Sequence, residues 1–418
     1  MNKKIMSIAV SALLLAASVS CSQKNDSSVS GTTEYSEASV STESGTDEPL
    51  PIEDNTVEPP DNVKKTVKKY EQLDIVLPDT ITEKPFTEIE LDPQEIEGLL
   101  ALTGDFVVGI AAEKDQSDQS DIHISKYSIS SQEKTEITGG VPTFHVSSGV
   151  YAVCGDKVNM IYNSFTDRLF CCIDLEKNRS DIFRDEEWNY GQDSLYFTYP
   201  VSEDEYAVYW FNFDENNHNL IHKHVAVCNS ANEIEEVFSG DYDVSREGCF
   251  CAVADKKIYE LIYEFEPKVF SLNTYDLSGK LLQSEVLAPI TEDVRSSRST
   301  EIRNFDVSGS YVSVSVTGNE EIAETTYIFD LEKETYMKFN AERFRVVPNN
   351  TLNKTDDLVF FRDVSRSDGT NREIYVFDND TNSVYKLADV KERLSNIITD
   401  GRKVAYIQNN KIIVSDIA

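Results

Sequence analysis

Three histidines crowd one short stretch, Asn217-His218-Asn219-Leu220-Ile221-His222-Lys223-His224, and imidazoles so placed are the first candidates for metal or acid–base chemistry. On a strand, His222 and His224 share a face, and His218 from the preceding loop can fold back toward them. No fixed zinc spacing is matched, so the stretch reads as part of a hairpin. Asp378-Asn379-Asp380-Thr381-Asn382-Ser383, followed by Asp389, alternates oxygen ligands as a calcium loop does but lacks the required Gly and the bidentate Glu. Plain turn residues account for it. Cys154, Cys171, Cys172, Cys228, Cys249 and Cys251 follow Cys21 without forming the two-residue-spaced pairs of a metal or redox motif. All six lie in apolar runs, where a thiol packs as a small hydrophobe. Adjacent Cys171 and Cys172 point to opposite sides of a strand, and one disulfide is the most expected. Carboxylates are abundant, yet nothing in the sequence sets two of them at a working separation for glycan hydrolysis. These residues predict no catalytic group, no metal and no cofactor, and hence a protein that is not an enzyme.

The elements that carry these residues repeat. Past Gly98 the chain consists of short β-branched or alternating runs separated by Asp, Asn, Gly and Ser clusters, an all-β pattern. A polar turn leads into an apolar strand at Asp105-Phe106-Val107, Gly149-Val150-Tyr151, Glu205-Tyr206-Ala207, Gly248-Cys249-Phe250, Gly309-Ser310-Tyr311, Asp357-Leu358-Val359 and Gly401-Arg402-Lys403. The interval of roughly 40 to 60 residues is that of propeller blades. Each of those strands is followed by a second ending in a polar turn, as at Tyr127-Ser128, Ile173-Asp174, Tyr275-Asp276, Phe329-Asp330 and Phe377-Asp378, and then by a third, and a short apolar run precedes each anchor. The expected fold is therefore an all-β propeller of seven four-stranded blades. The last unit stops at Ala418 one strand short, and Pro85-Phe86-Thr87-Glu88-Ile89-Glu90-Leu91 alternates as a strand should. That N-terminal strand is expected to complete the last sheet and close the ring. Leu73-Asp74-Ile75-Val76-Leu77 is a further strand that can join an edge or pack underneath.

The strand pattern past Tyr70 resembles the bacterial β-propeller superfamilies with TolB-like or YVTN-like repeats, including lipoproteins in which such a domain follows a signal and linker. The resemblance implies the propeller and no particular activity. Gly-His and Trp-Asp pairs, kelch-type Gly-Gly blades, the tryptophan-docking motif and the sialidase Asp box are all missing from the sequence.

In a propeller the loops after each second strand and between blades share one face. Here they are the longest and most polar segments: Glu113 to Asp121, Arg184 to Asp193, Asn212 to Leu220, Ala288 to Glu301, Gly318 to Glu324 and Arg362 to Arg372. Variable loops on a rigid scaffold are where binding usually sits. The expected binding face takes Asp185, Glu186, Glu187, Trp188 and Tyr190 from one loop, and Asp214 and His218 from the next. Arg295, Arg298, Asp363 and Asp368 complete it. An aromatic beside carboxylates suits a sugar ring, a peptide side chain or a cation. The leading expectation is a binding module for a protein or glycan, with a carbohydrate-active hydrolase or lyase, and a scaffold subunit of an envelope complex, as alternatives.

Residues 1–21 read as an export signal: Lys3 and Lys4, an apolar run from Ile8 to Ala17 broken only by Ser11, then small residues before a cysteine. Ser18-Val19-Ser20-Cys21 resembles the lipobox of bacterial lipoproteins, departing from it at Ser18, where that family has Leu. The resemblance implies a lipid on Cys21 and an extracytoplasmic, membrane-anchored chain; cleavage to a free secreted protein is the alternative. Residues 22–69, rich in Ser, Thr, Glu, Asp and Pro, read as a solvated linker, and residues 70–418 as the propeller, expected to be a monomer. The net charge of −35 repels phosphate backbones and anionic lipid, so nucleic acid is not an expected partner.

Overall fold

The computed structural model describes residues 65–416, apart from 82–86, 92–97, 115–119, 140–150, 164–167, 184–194, 215–216, 218, 230–232, 295–299, 319–324, 340–343, 348–350, 352–357, 365–370, 379–380, 391–396 and 410. Four-stranded antiparallel meanders succeed one another along the chain. The first runs through Gly98–Thr103, Phe106–Lys114, Ser120–Ser128 and Lys134–Gly139, and the second through Tyr151–Cys154, Lys157–Asn163, Arg168–Asp174 and Arg179–Phe183. The third comprises Leu195–Pro200, Glu205–Phe213, Leu220–Asn229 and Ile234–Asp243, and the fourth Glu247–Ala254, Lys257–Glu264, Val269–Asp276 and Leu281–Val286. Thr300–Ser308, Tyr311–Gly318, Thr325–Asp330 and Thr335–Phe339 form the fifth, and Phe344–Val346, Leu358–Val364, Asn371–Asp378 and Ser383–Val390 the sixth. Ile398–Thr399, Lys403–Gln408 and Lys411–Asp416 make the last, and Thr87–Leu91 supplies its outer strand, Ile89 opposite Val414. The expected closing strand is thus in place.

The strands fall into six hydrogen-bonded sheets, because the outer strands of the first two meanders pair in parallel and fuse them into one sheet of eight. Gly139 makes this possible. Its φ is +119°, and a Cβ there would collide with the Ser180 carbonyl.

Sequence chemistry explains the tight turns between third and fourth strands. Asp174 accepts from the Lys177 amide at 2.8 Å, Asp276 from Ser278 at 2.9 Å and Lys280 at 3.0 Å, and Asp330 from Glu332 and Lys333 at 3.0 Å each. A left-handed residue then turns the chain back: Asn178, Gly279 and Glu334, respectively. At Asp378 the same turn serves where a calcium loop was considered, with the Thr381 amide donating to Asp378 and Asn382 left-handed.

Burial joins the meanders in a ring. Trp210, Ala226 and Cys228 of the third pack on Ala152, Ile161 and Phe170 of the second. On its other side, Ile221 and Val225 meet Cys249, Cys251 and Ile258 of the fourth. Fourth and fifth share Leu261, Phe270, Val314 and Phe329, fifth and sixth Ile328, Met337 and Phe377, and sixth and last Ile374, Val376 and Tyr406. Ile412 and Val414 of the last meander then join Leu99 and Val107 of the first, with Val158 of the second, closing the circle.

The N-terminal segment differs from its sequence reading. Leu73, Ile75 and Leu77 form no strand and instead pack on the cluster between the fifth and sixth meanders. Two shorter strands do the pairing: Thr66–Val67 runs parallel to Leu281–Val286, and Glu71–Gln72 parallel to Thr335–Phe339. Between them Tyr70 is buried, its ring edge-on to Phe329 at 5.0 Å and its hydroxyl donating to Glu285 at 3.1 Å. Among the strap's described residues Tyr70 is the fully buried one. Tyr70→Ala is expected to cost about 2 to 3 kcal/mol and to expose Lys68 and Lys69 to trypsin well before the ring unfolds; limited proteolysis followed by mass spectrometry checks it, and an unchanged cleavage rate would refute it.

Ala288–Val294, the one helix among the described residues, occupies half of what the sequence suggested was a polar binding loop. Ile290 and Val294 drive it inward, and Thr291 accepts the Phe270 amide at 3.1 Å.

Candidate functional site

The histidine-bearing strand Leu220–Asn229 lies between Glu205–Phe213 and Ile234–Asp243, so alternate residues face the second and fourth meanders. Its register sets His222 opposite Asn212 and Asp241, and Lys223 opposite Phe211 and Gly240. His224 lies across from Trp210 and Ser239. The strand therefore carries two separate arrangements, one on each face.

On the histidine face, His222 is clamped between carboxylates. Its Nδ1 lies 2.7 Å from Asp241 and its Nε2 3.2 Å from Asp214. Asp214 belongs to a loop braced by its own bonds: the Asn217 amide donates to Asp214 at 2.6 Å, the Asn219 amide to the Asn217 side chain at 3.2 Å, and the Asp214 amide to the Leu220 carbonyl at 3.0 Å. Burial alone would lower the His222 pKa, but the bonds and charges of Asp241 and Asp214 outweigh it and hold it above its ordinary value. With a carboxylate on each ring nitrogen the imidazole is a latch between loop and strand, and in its protonated form both nitrogens donate. His224 behaves oppositely. It stacks on Trp210 at 4.9 Å, its Nδ1 lies 3.1 Å from Glu236, and burial holds its pKa down despite that carboxylate. Each ring is committed to its own carboxylates.

A pH dependence follows with a definite sign. Because the folded pKa of His222 is raised, its contribution is fully present below the unfolded value of about 6.5 and disappears as pH climbs through the folded value. Urea unfolding of the wild type and of His222→Gln at a series of pH values is expected to show a stability gap at pH 6 that closes on the alkaline side. A gap that widened with pH would contradict the latch.

On the opposite face Lys223 is buried and donates to Glu260 Oε1, on strand Lys257–Glu264, and to Cys249 Sγ at 3.3 Å. Glu260 Oε2 accepts from Tyr275 at 2.7 Å and Asn273 at 2.8 Å. Desolvation would push the Glu260 carboxyl up, yet the Lys223 charge and these three donors hold it below the usual carboxylate range. Lys223 is likewise driven down by burial but held well above its ordinary value by Cys249 and Glu260. The pair is charged on both sides. Ligand atoms of Cys249, Cys251 and Glu260 lie within 4.8 Å of one another, a spacing that fits a metal, and the Lys223 ammonium contacts two of the three residues, Glu260 and Cys249.

Of the expected binding face, Asp214 is placed at the long-loop end beside His222, and Asp363 stands in strand Leu358–Val364 opposite Arg372. Asp185, Glu186, Glu187, Trp188, Tyr190, His218, Arg295, Arg298 and Asp368 lie outside the described residues, as does Cys21. Asp241 and the Lys223–Glu260 pair were missed. The signal for the pair was present: Lys223 interrupts the inward series Ile221, Val225, and Glu260 interrupts Ile258, Ile262, and a charge inside an apolar alternation requires a buried partner. At the short-turn side, a groove of about 140 Å³ lined by Lys68, Asp255, Tyr259 and Glu285 is smaller than the 300 Å³ or so at which ligand pockets begin.

Four-stranded meanders packed in a closed ring define a β-propeller. No family model matches the chain, and no curated protein sequence matches it. Among solved structures, it is similar to oligogalacturonate lyase from Vibrio parahaemolyticus, with 10% identity and a TM-score of 0.46 over 81% of this chain and 95% of that one. It is also similar to prolyl oligopeptidase B from Galerina marginata, with 12% identity and a TM-score of 0.46 over 77% of this chain and 46% of that one. TolB from Acinetobacter baumannii matches with 12% identity and a TM-score of 0.37 over 75% of this chain and 80% of that one. The expectation that the chain is not an enzyme does not stand, since a lyase and a peptidase are among the structures it is similar to; likeness at this level assigns no activity to this chain.

Proposed function

We propose that this chain is an extracytoplasmic lipoprotein, anchored through Cys21 and the linker between it and the strap strand Thr66–Val67, whose propeller engages a protein or glycan through its long-loop end. The observation that supports this reading is the braced loop at Asp214, fixed by its own turn bonds and latched to Asp241 through His222. Carboxylates held in place before binding lose little entropy when a ligand arrives, and Asp214 and Asp241 suit sugar hydroxyls or a basic peptide side chain. Neutral and uronic glycans and basic peptides, immobilised in parallel, test it. At least one class is expected to bind, with Asp214→Asn and Asp241→Asn each weakening binding by about tenfold; equal binding by both variants and the wild type overturns the site. Labelling cells with a palmitate analogue tests the anchor, since Cys21→Ala should lose the label and leave the membrane fraction.

A second reading, a carbohydrate-active lyase or hydrolase, draws on the same pair of carboxylates, Asp214 and Asp241, and requires a glycan to displace the His222 imidazole that lies between them. New reducing ends or unsaturated products from a bound glycan, lost in either Asn variant, would favour it over binding alone.

A further inference from the structure

We propose that Lys223 and Cys249 are the two ends of an oxidative covalent cross-link between adjacent blades of the propeller. Lys223 lies on the third strand of the third meander and Cys249 on the first strand of the fourth, and Nζ approaches Sγ to 3.3 Å with both residues buried. The lysine is held in this approach from every side. Glu260 anchors the ammonium, the rings of Tyr242 and Phe238 lie 5.7 and 5.9 Å from Nζ, and Gly240, opposite Lys223 in the ladder, leaves room for its stem.

The chemistry balances with a peroxide as the oxidant. The Cys249 thiol is oxidised to a sulfenic acid while hydrogen peroxide is reduced to water. Lys223 passes one proton to Glu260, with which it is in contact, and its freed electron pair attacks the sulfur. An S–N bond forms, the S–O bond breaks, and the hydroxyl leaves as water with the amine's second proton. Two equivalents of an external thiol reverse the link, returning thiol and amine and yielding one disulfide.

Cys251 is the obvious competitor, since its ligand atom also belongs to this cluster. Geometry argues against it. The two sulfurs meet, but the Cα atoms of residues two apart on one strand are separated by roughly 6.7 Å, at the upper limit of disulfide reach, so a bridge between them would have to bend the strand. Cys251 instead sits directly across from Glu260 in the ladder, whereas Cys249 has the amine against it.

The full chain treated with hydrogen peroxide, then alkylated and digested with trypsin without reduction, tests the proposal. Cross-linked protein resists cleavage after Lys223, so residues 185–246 should emerge joined to residues 247–256, at the summed mass less two hydrogens. Dithiothreitol should restore the separate peptides. Cys249→Ala should abolish the joined species and Cys251→Ala should keep it. Absence of any joined species, survival of the link in Cys249→Ala, or a loss of two hydrogens confined within residues 247–256 would each overturn it. A joined pair heavier by one oxygen would overturn the condensation step, because an N–O–S bridge does not arise from it.

Discussion

Glu260→Ala is expected to lower the unfolding free energy by about 3 to 5 kcal/mol, the largest single-residue effect in the molecule, because it strands the Lys223 ammonium between two blades. Lys223 is about 5% exposed and Glu260 about 2%, so water cannot replace the lost partner. Tyr275 and Asn273 would lose their acceptor in the same stroke. Lys223→Met should cost a similar amount, leaving a carboxylate that must take up a proton. The double change Lys223→Met with Glu260→Leu should recover most of the loss, since a buried pair replaced by well-packed apolar residues is often neutral. Urea titration of Lys223→Met, Glu260→Leu and their combination checks this, and a double variant no better than the sum of those two singles would refute the coupling. The pH limits follow from the two shifts. Glu260, with its folded pKa depressed, contributes stability above the ordinary carboxylate range that is lost as pH falls through the folded value. Lys223, with its folded pKa raised, contributes stability that is complete below about 10.4 and lost only as pH rises through the folded value. Across the neutral range both are charged and the pair is at full strength.

What the sequence revealed and what it hid divide along the distance over which each feature is determined. The turns at Asp174, Asp276 and Asp330 were legible because a carboxylate two to four residues from the amides it caps is local chemistry. The closing strand was legible because an orphan alternating segment and an incomplete last unit point at each other. The phase of the repeat was less secure: the anchor runs fall on the second strand of most meanders, but Tyr151–Cys154 and Glu247–Ala254 are first strands. Glycine-led apolar runs begin inner strands as readily as second ones, so pattern alone does not separate them. Strands Thr66–Val67 and Glu71–Gln72 could not be read, because two residues pairing through the backbone leave no side-chain period. At the site, the types were visible in Asp214 and His222, whereas Asp241 depends on a ladder register that shifts between Val225 and Ala226. Such a bulge decides which carboxylate meets the imidazole, and composition does not record it.

The second large effect is expected from opening the ring. A chain beginning at residue 82 loses only the strap, and should unfold at a urea midpoint lowered by the strap's share. A chain beginning at residue 98 loses Thr87–Leu91 as well, and with it five paired positions running from Thr87 with Asp416 to Leu91 with Ile412. Strand Lys411–Asp416 then becomes a bare edge whose amides and carbonyls seek another chain. Its side chains face both neighbours, Ile412 and Val414 toward the first and second meanders and Ile413 toward the sixth, so fraying there loosens two interfaces at once. Exposing these three residues costs about 1.5 to 3 kcal/mol each, giving a loss on the order of 5 kcal/mol or more beyond that of the strap. Size-exclusion chromatography should find the shorter chain self-associated while the chain from residue 82 elutes as the full one does. A monomeric chain from residue 98 with the same urea midpoint as the chain from residue 82 would mean that the ring is held by its inner packing alone.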